Sequence, residues 1–424
     1  MKSLWNDDEA QCWIDSANGD PAEVDLALRV YTSRLIGQEA DLVLHGGGNT
    51  SVKTERAKED GTLAETIHVK GSGWDLVTIE GPGLPAMWLE PLLTARDVPN
   101  MTDEEMVVFL RNEMLDQSGP NPSVEALLHA FLPAKFVDHT HSCAALAIAD
   151  QPNAAELSQE IFGDELCVIP YVMPGFKLSH AADAIFQEKG EGANGLFLVN
   201  HGLFSHGDDA RTSYERIIRY TDMCEQYLAE HGAALMPEED GTKVDDPYAH
   251  APIVSLKEAL SSWDFFGEDG PFLDLRVSKA NKKYLGTPDL EEVSSRGTAT
   301  PDHVIRIKPR PMIGEAGFEA EDWAKAVRDY ADWYEAYFER NAAKSDETKT
   351  MLDLLPRVAL IRGLGIVGIG RNAKEAGVAA DLAEQNARII MSAEGIGRFT
   401  PLNEADLFEL EYWSLEQAKL KKAA

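Results

Sequence analysis

Hydrophobic and polar positions along the chain predict a mixed order of elements. Residues 22–36 read as a helix. "ADLVLHGGGNTSVK" then reads as strand, glycine turn and strand. "TIHVKGSGWDLVTI" repeats that logic, with β-rich flanks around Gly71, Ser72 and Gly73. "MTDEEMVVFLRNEML" reads as a helix with a capping box from Thr102 to Glu105, and "PSVEALLHAFL" as a shorter helix with Pro122 near its start. "KFVDHTHS" and "LCVIPYV" are strands by the same reading. The run from Asn194 to Gly232 reads as a buried strand, a glycine turn and a long helix, with Asp208 and Asp209 at the helix start.

Residues 236–252 are polar, carry prolines and break the periodic patterns, which predicts a linker. A first α/β domain over 1–240 and a second over 250–424 follow. The second contains a helix near 319–344 and, from 356 onwards, another strand, glycine turn and helix. Gly202, Gly207 and Ala210 fall opposite Gly365, Gly370 and Ala373 at a constant offset of 163. The pattern suggests a diverged internal duplication, in which His201 faces Leu364.

Charge narrows the partners. Acidic residues number 72 and basic residues 39, a net charge of −33. Nucleic acid and anionic membrane surfaces are excluded as partners, because both need stripes of Lys and Arg. An anionic substrate would require a local site that overcomes the global field. The start, "MKSLWNDDEAQCW", has no apolar segment of the secretory kind. Cys12, Cys143, Cys167 and Cys224 are scattered without a paired motif, which predicts a reduced, cytoplasmic enzyme.

The stretch "DHTH" sets His139 and His141 two apart on a strand, where side chains alternate faces. Both rings then point one way. Two such imidazoles suit a metal, though a polar wet face is an equal reading. A catalytic zinc site takes three protein ligands and an open position. His201 ends a second apolar strand, "GLFLVNH", and Gly202 lets the chain turn away at once. Alone, His201 reads as readily as a hydrogen-bonded core residue. Glu125 lies fourteen residues before His139 on the short helix leading into that strand. It is placed to move a proton near a metal, or is a solvated helix glutamate. "GGGNTS" (46–51) and "GSG" (71–73) offer backbone N–H groups with Asn49, Ser51 and Ser72 as further donors. Singly, each loop is an ordinary tight turn; neither is a Walker loop or a dinucleotide fingerprint.

Taken in order, "GGGNTS", "GSG", "PSVE", "HTH" and "NHG" resemble the class II aldolase/adducin head domain family over about residues 20–235. With "TPDHVI" and "EYWSLEQAKL" added, the chain further resembles the aldolase half of bifunctional rhamnulose-1-phosphate aldolase/short-chain dehydrogenases, and by that resemblance is such a half standing alone. The resemblance implies an α/β/α catalytic domain with a mainly antiparallel central sheet; the α/β domain that follows is the candidate duplicate suggested by the 163-residue offset, a copy that would lack metal ligands. It implies zinc, or another divalent metal, on His139, His141 and His201, and acid–base chemistry at Glu125. Asn49, Ser72, Gly73 and Ser123 match positions that hold the substrate phosphate, and Ser51 lies among them. Val124 replaces a serine usual in that pattern. The family's further catalytic tyrosine comes from a neighbouring subunit, so homo-oligomers are expected.

The activity so implied is zinc-dependent cleavage of a ketose 1-phosphate, such as L-rhamnulose 1-phosphate, to dihydroxyacetone phosphate and an aldehyde. Alternatives on the same scaffold are a sugar-phosphate epimerase, disfavoured by Glu rather than Asp at 125, or a decarboxylase. An adducin-like module without catalysis is disfavoured because all three histidines are present. Lys53 and Lys70 flank the glycine loops and are candidates to add positive charge there.

Overall fold

The computed structural model describes residues 1–237, 242–345 and 347–415. The linker expected at 236–252 therefore lies partly outside the described residues, as does the end of "EYWSLEQAKL". The chain divides into two compact units: Met1–Ala149 with Asn153–Tyr227, and Asp150–Pro152 with the chain from Leu228 onwards.

The first unit is built on a seven-stranded sheet. Its strands are β1 (Asn49–Ala57), β2 (Leu63–Val69), β3 (Ala86–Trp88), β4 (Phe136–Thr140), β5 (Cys167–Ile169), β6 (Gly195–Leu198) and β7 (Gly202–Gly207). Their order is β3-β2-β1-β4-β7-β6-β5. Every pairing is antiparallel except β5 with β6. Strand β4 is central and buried at every residue, so both of its faces meet packed side chains. On one side Val137 joins Leu128, Leu132, Leu178, Leu196, Leu198 and Phe204 in a single apolar cluster. Each fully buried Leu or Phe of that kind contributes about 1.5–3 kcal/mol. On the other side the helix Pro21–Gly37, capped by the Asp20 carboxylate at Ala22 N–H, brings a fully buried Arg29 against the strand.

Three local expectations change. The strand anticipated in "ADLVLH" does not form: Leu42 and Val43 are buried, but Leu42 N–H donates to Glu39 O in a turn, and His45 and Gly46 take positive φ. The apolar side chains are used for packing without a ladder. "GLFLVNHGLF" is a hairpin of β6 and β7 rather than one strand. The helix expected from Pro122 begins at Ala126, because Ser123 first closes a turn, its carbonyl accepting from Ala126 N–H.

The second unit holds a four-stranded sheet of β8 (Phe272–Arg276), β9 (Met312–Glu315), β10 (Val358–Arg362) and β11 (Gly365–Gly370), in the order β8-β11-β10-β9. The pairing of β9 with β10 is parallel and the others are antiparallel. Order and direction repeat β4-β7-β6-β5 of the first unit. A helix follows the last strand in both, Ala210–Glu230 and Ala373–Ile396. Strand register extends the match. Phe204 lies opposite His139 and Ser205 opposite Asp138, whereas Val367 lies opposite Leu275 and Gly368 opposite Asp274. The aspartate position is thus an aspartate in both units. In that register Leu275 and Val277 stand where His139 and His141 stand in the first unit, and at the 163-residue offset Leu364 stands where His201 does. An aromatic group including Trp323, Tyr330, Tyr334 and Phe408 fills the core of the second unit.

Candidate metal centre and acid–base site

The end of β4 and the β6–β7 turn meet at one point. His139, the last residue but one of β4, and His141, just beyond the strand, share a face as their spacing requires. Their Nε2 atoms are 3.1 Å apart. His201 comes from the three-residue turn between β6 and β7, where Asn200 takes φ 55°. Gly202, at φ 155°, follows it directly, and a Cβ there would run into the Thr140 carbonyl. Only a glycine lets the turn close against β4 and bring His201 in. The three rings lie at centroid distances of 4.8, 5.0 and 5.3 Å. One ligand atom from each falls within 4.8 Å of the others.

Buried imidazoles need a reason to face one another. His139 supplies one: its Nδ1 lies 2.9 Å from Leu203 O, a carbonyl that can only accept. The proton is therefore on Nδ1, and Nε2 presents a lone pair to the centre. The ring is also stacked on its cross-strand partner Phe204 at 4.1 Å. An outer hydrogen bond of this kind fixes the tautomer a metal requires.

Glu125 occupies the N-cap position of the helix Ala126–Phe131, its side chain making no cap hydrogen bond, and is buried. Its Oε2 is 3.5 Å from His139 Nε2, and its Oε1 is 3.5 Å from His201 Nε2. Among the described residues Oε1 has no hydrogen-bond partner. A buried carboxylate oxygen left so costs stability unless another group takes it up. Burial alone would raise this carboxyl; positive charge on the His139 and His201 rings, present when they are protonated, and the Asn49 amide outweigh it and hold the group down at about 2. The carboxylate is thus kept ionised. Three imidazole nitrogens and an orphaned carboxylate oxygen are a donor set that suits zinc or a similar divalent cation.

The two glycine loops and the segment before Glu125 are tied together nearby. Lys70 N–H donates to Thr50 O, Ser72 N–H to Asn121 O, and Ser123 N–H to Lys70 O. Lys70 Nζ crosses to Gly46 O at 2.7 Å. Asn49 lies opposite His139 in the ladder between β1 and β4. Gly48, at φ 63°, backs onto the same strand: a Cβ there would sit 2.6 Å from His139 O. Ser72 and Ser123 are half-buried and Gly73 is exposed; the Ser123 hydroxyl accepts from Asn49 Nδ2 at 3.1 Å and from Glu125 N–H at 3.3 Å.

Three expectations change here. Ser51 is completely buried and its hydroxyl lies 2.8 Å from His129 Nδ1, out of reach of solvent. The Asn49 side chain is also committed: Nδ2 donates to Glu125 Oε2 at 2.7 Å and to Ser123 Oγ at 3.1 Å. Lys53 turns away, donating to Leu132 O, and burial beside Arg96 lowers it to about 8. Cys143 is buried and stands outside the histidine cluster. Asp138 points to the opposite face, where it accepts from Arg29 and Ser213. His129 is the residue that sequence reasoning passed over. Its signal was present: it stands four residues after Glu125, one helical turn on.

Two families of known proteins cover most of the chain between them. Residues 27–228 match the family "Class II Aldolase and Adducin N-terminal domain", and residues 249–420 match "Aldolase class II, second domain". The chain is 32% identical over 414 residues to "Uncharacterized oxidoreductase YuxG" of Bacillus subtilis (strain 168), covering 93% of this chain and 58% of that protein. The chain thus spans less than two thirds of that relative's length. The solved N-terminal class II aldolase domain of a conserved protein from Thermoplasma acidophilum is 36% identical. It covers 54% of this chain and 99% of that chain, with a TM-score of 0.48. The L-fuculose-1-phosphate aldolase of Thermus thermophilus is 17% identical, covering 48% of this chain and 95% of that chain at a TM-score of 0.32. With its two halves matched to the first and second domains in turn, the chain belongs to the class II aldolase/adducin family.

Proposed function

We propose that the first domain is a divalent-metal-dependent aldolase that cleaves a ketose 1-phosphate, such as L-rhamnulose 1-phosphate, to dihydroxyacetone phosphate and an aldehyde. The observation that carries this reading is the orphaned Glu125 Oε1, 3.5 Å from His201 Nε2, on a carboxylate beside three converging imidazoles. His139, His141 and His201 would hold the cation, with zinc the best fit to an all-nitrogen protein set. When bound, the metal supplies Lewis acidity for the negative charge that develops on the substrate carbonyl oxygen.

The chain's own groups do the rest. Glu125, ionised and dry, takes or returns the proton at the carbon next to the carbonyl as the carbon–carbon bond forms or breaks. Ser72, Gly73 and Ser123, with the Asn49 segment behind them, hold the phosphate through neutral donors. Lys70 adds the positive charge that a chain at −33 needs locally. Ser51 is left out of that set by its burial. Val124 in place of a hydroxyl leaves the phosphate to fewer donors. We further read the second domain as a duplicated copy that has lost its metal ligands to Leu275, Val277 and Leu364, leaving one catalytic centre per chain. The protein works as a homo-oligomer in the cytoplasm on a small phosphorylated sugar, with neither nucleic acid nor membrane as partner; among the described residues no helix is long and apolar enough to cross a membrane.

The test is product analysis on a panel of phosphorylated ketoses. Release of dihydroxyacetone phosphate supports the aldolase; an epimeric pentulose phosphate or carbon dioxide would assign the epimerase or the decarboxylase instead.

A further inference from the structure

The hydrogen bonds behind Glu125 form a directed chain. The carboxylate only accepts, so the Asn49 atom facing it at 2.7 Å is Nδ2, a donor. The same carboxamide then turns Oδ1 towards His129 Nε2, with which it makes a short hydrogen bond. Oδ1 only accepts, so His129 carries its proton on Nε2. Its Nδ1 must then accept, and the Ser51 hydroxyl 2.8 Å away is the donor. Each link is forced by the one before it. Ser51 and His129 are completely buried, and Asn49 nearly so, which leaves water little access to substitute for any of them.

We propose that His129 is the positioning residue of this site: through Asn49 it clamps Glu125 Oε2, and so keeps Oε1 turned to His201 and the metal. A carboxamide alone cannot do this. Rotated by half a turn, Asn49 would offer Oδ1 to the carboxylate, oxygen against oxygen, and Glu125 would swing aside. The His129 N–H removes that alternative, because the rotated amide would set N–H against N–H. Ser51 completes the lock by fixing the tautomer. Its expected role at the phosphate is replaced by one three links behind the proton carrier. His129 touches neither substrate nor metal.

The proposal leans on the aldolase reading for its kinetic arm only. In histidine-labelled full-length protein, the imidazole signal that disappears in His129→Gln identifies His129, and its nitrogen shifts report the tautomer. The expected form is neutral with the proton on Nε2; a proton on Nδ1, or an imidazolium, overturns the proposal whatever the enzyme does. In kinetics, His129→Met keeps the side-chain length and deletes the donor, whereas His129→Gln keeps a donor where Nε2 stood. His129→Met should lower kcat about 10–100-fold, the usual effect of losing an outer partner, with KM within about threefold and bound metal unchanged. His129→Gln should recover most of that loss. Equal damage in both variants would reduce His129 to a packing residue, and an unaffected His129→Met would remove it from the mechanism. If the wild-type protein cleaves no ketose phosphate, the aldolase reading fails, and the tautomer alone decides this one.

Discussion

Asp138 and His139 are adjacent on β4 and face opposite ways: the Asp138 carboxylate lies 2.5 Å from Arg29 on one side, while the His139 ring faces His141 and His201 on the other. The strand that carries the metal face is therefore held from behind by a fully buried ion pair. Arg29 also donates to Val137 O and Ser51 O, which ties the helix to both β4 and β1. Removing one partner of such a pair strands a buried charge and costs about 3–5 kcal/mol. Arg29→Met should lower stability by that amount in denaturant titration. Arg29→Met with Asp138→Asn should recover part of it, because the stranded charge is gone.

Metal binding should stabilise the protein through the folded state alone. At a cation concentration about one hundred times Kd the gain is about 2.7 kcal/mol. For a domain of this size that corresponds to a rise of about 5–10 °C in Tm. Thermal unfolding with and without zinc checks it. His139→Ala should abolish the shift while a strong chelator returns the wild-type protein to its metal-free Tm.

Glu125→Gln should separate binding from proton transfer. The three imidazoles remain, so stoichiometric metal is retained. The kcat should fall about 10²–10⁴-fold, the range for loss of a general acid–base group. Metal analysis alongside steady-state kinetics distinguishes this from a collapsed site.

Gly48 and Gly202 were read as turn residues near the loops, and their meaning is tertiary. At Gly48 a Cβ would press on the His139 carbonyl at 2.6 Å in a backbone of φ 63°. Gly48→Ala should therefore cost about 2–4 kcal/mol and loosen metal binding together. Denaturant midpoints and metal affinity measured on one preparation test the coupling.

The second domain predicts a pH effect of its own. Glu411 is fully buried, with Tyr334 Oη 2.7 Å from Oε1, and burial pushes its carboxyl up to about 7. A carboxyl raised in the folded state binds its proton more tightly there than in the unfolded chain. Its stabilising contribution is complete below about pH 4.5 and is lost as pH rises through about 7. Glu411→Gln should then be more stable than wild type above pH 7, with the difference vanishing towards pH 4.5. Tm against pH for the two proteins gives the sign.

The chemistry of this chain was more legible in its sequence than its backbone was. Period-two spacing places His139 and His141 on one face whatever the surrounding topology, and the glycine after His201 marks the turn that delivers it. Side-chain commitments were not legible. Ser51 looked like an exposed loop donor, and only the pairing of β1 with β4 shows it inside the sheet facing His129. Leu42 and Val43 looked like a strand because burial and β-propensity read alike in a short apolar run. The likeness of the two units was visible in sequence only as three small residues at equal spacing. Strand order and register, which arise from pairings distant in sequence, extend that likeness to four strands and set Leu275 and Val277 in register with His139 and His141.

The most direct measurement is release of dihydroxyacetone phosphate from ketose 1-phosphates by metal-free, zinc-loaded and zinc-treated His139→Ala protein. Release is expected from the zinc-loaded wild-type protein alone. Release at the same rate without metal, or none from any ketose 1-phosphate by protein carrying one zinc per chain, would contradict it.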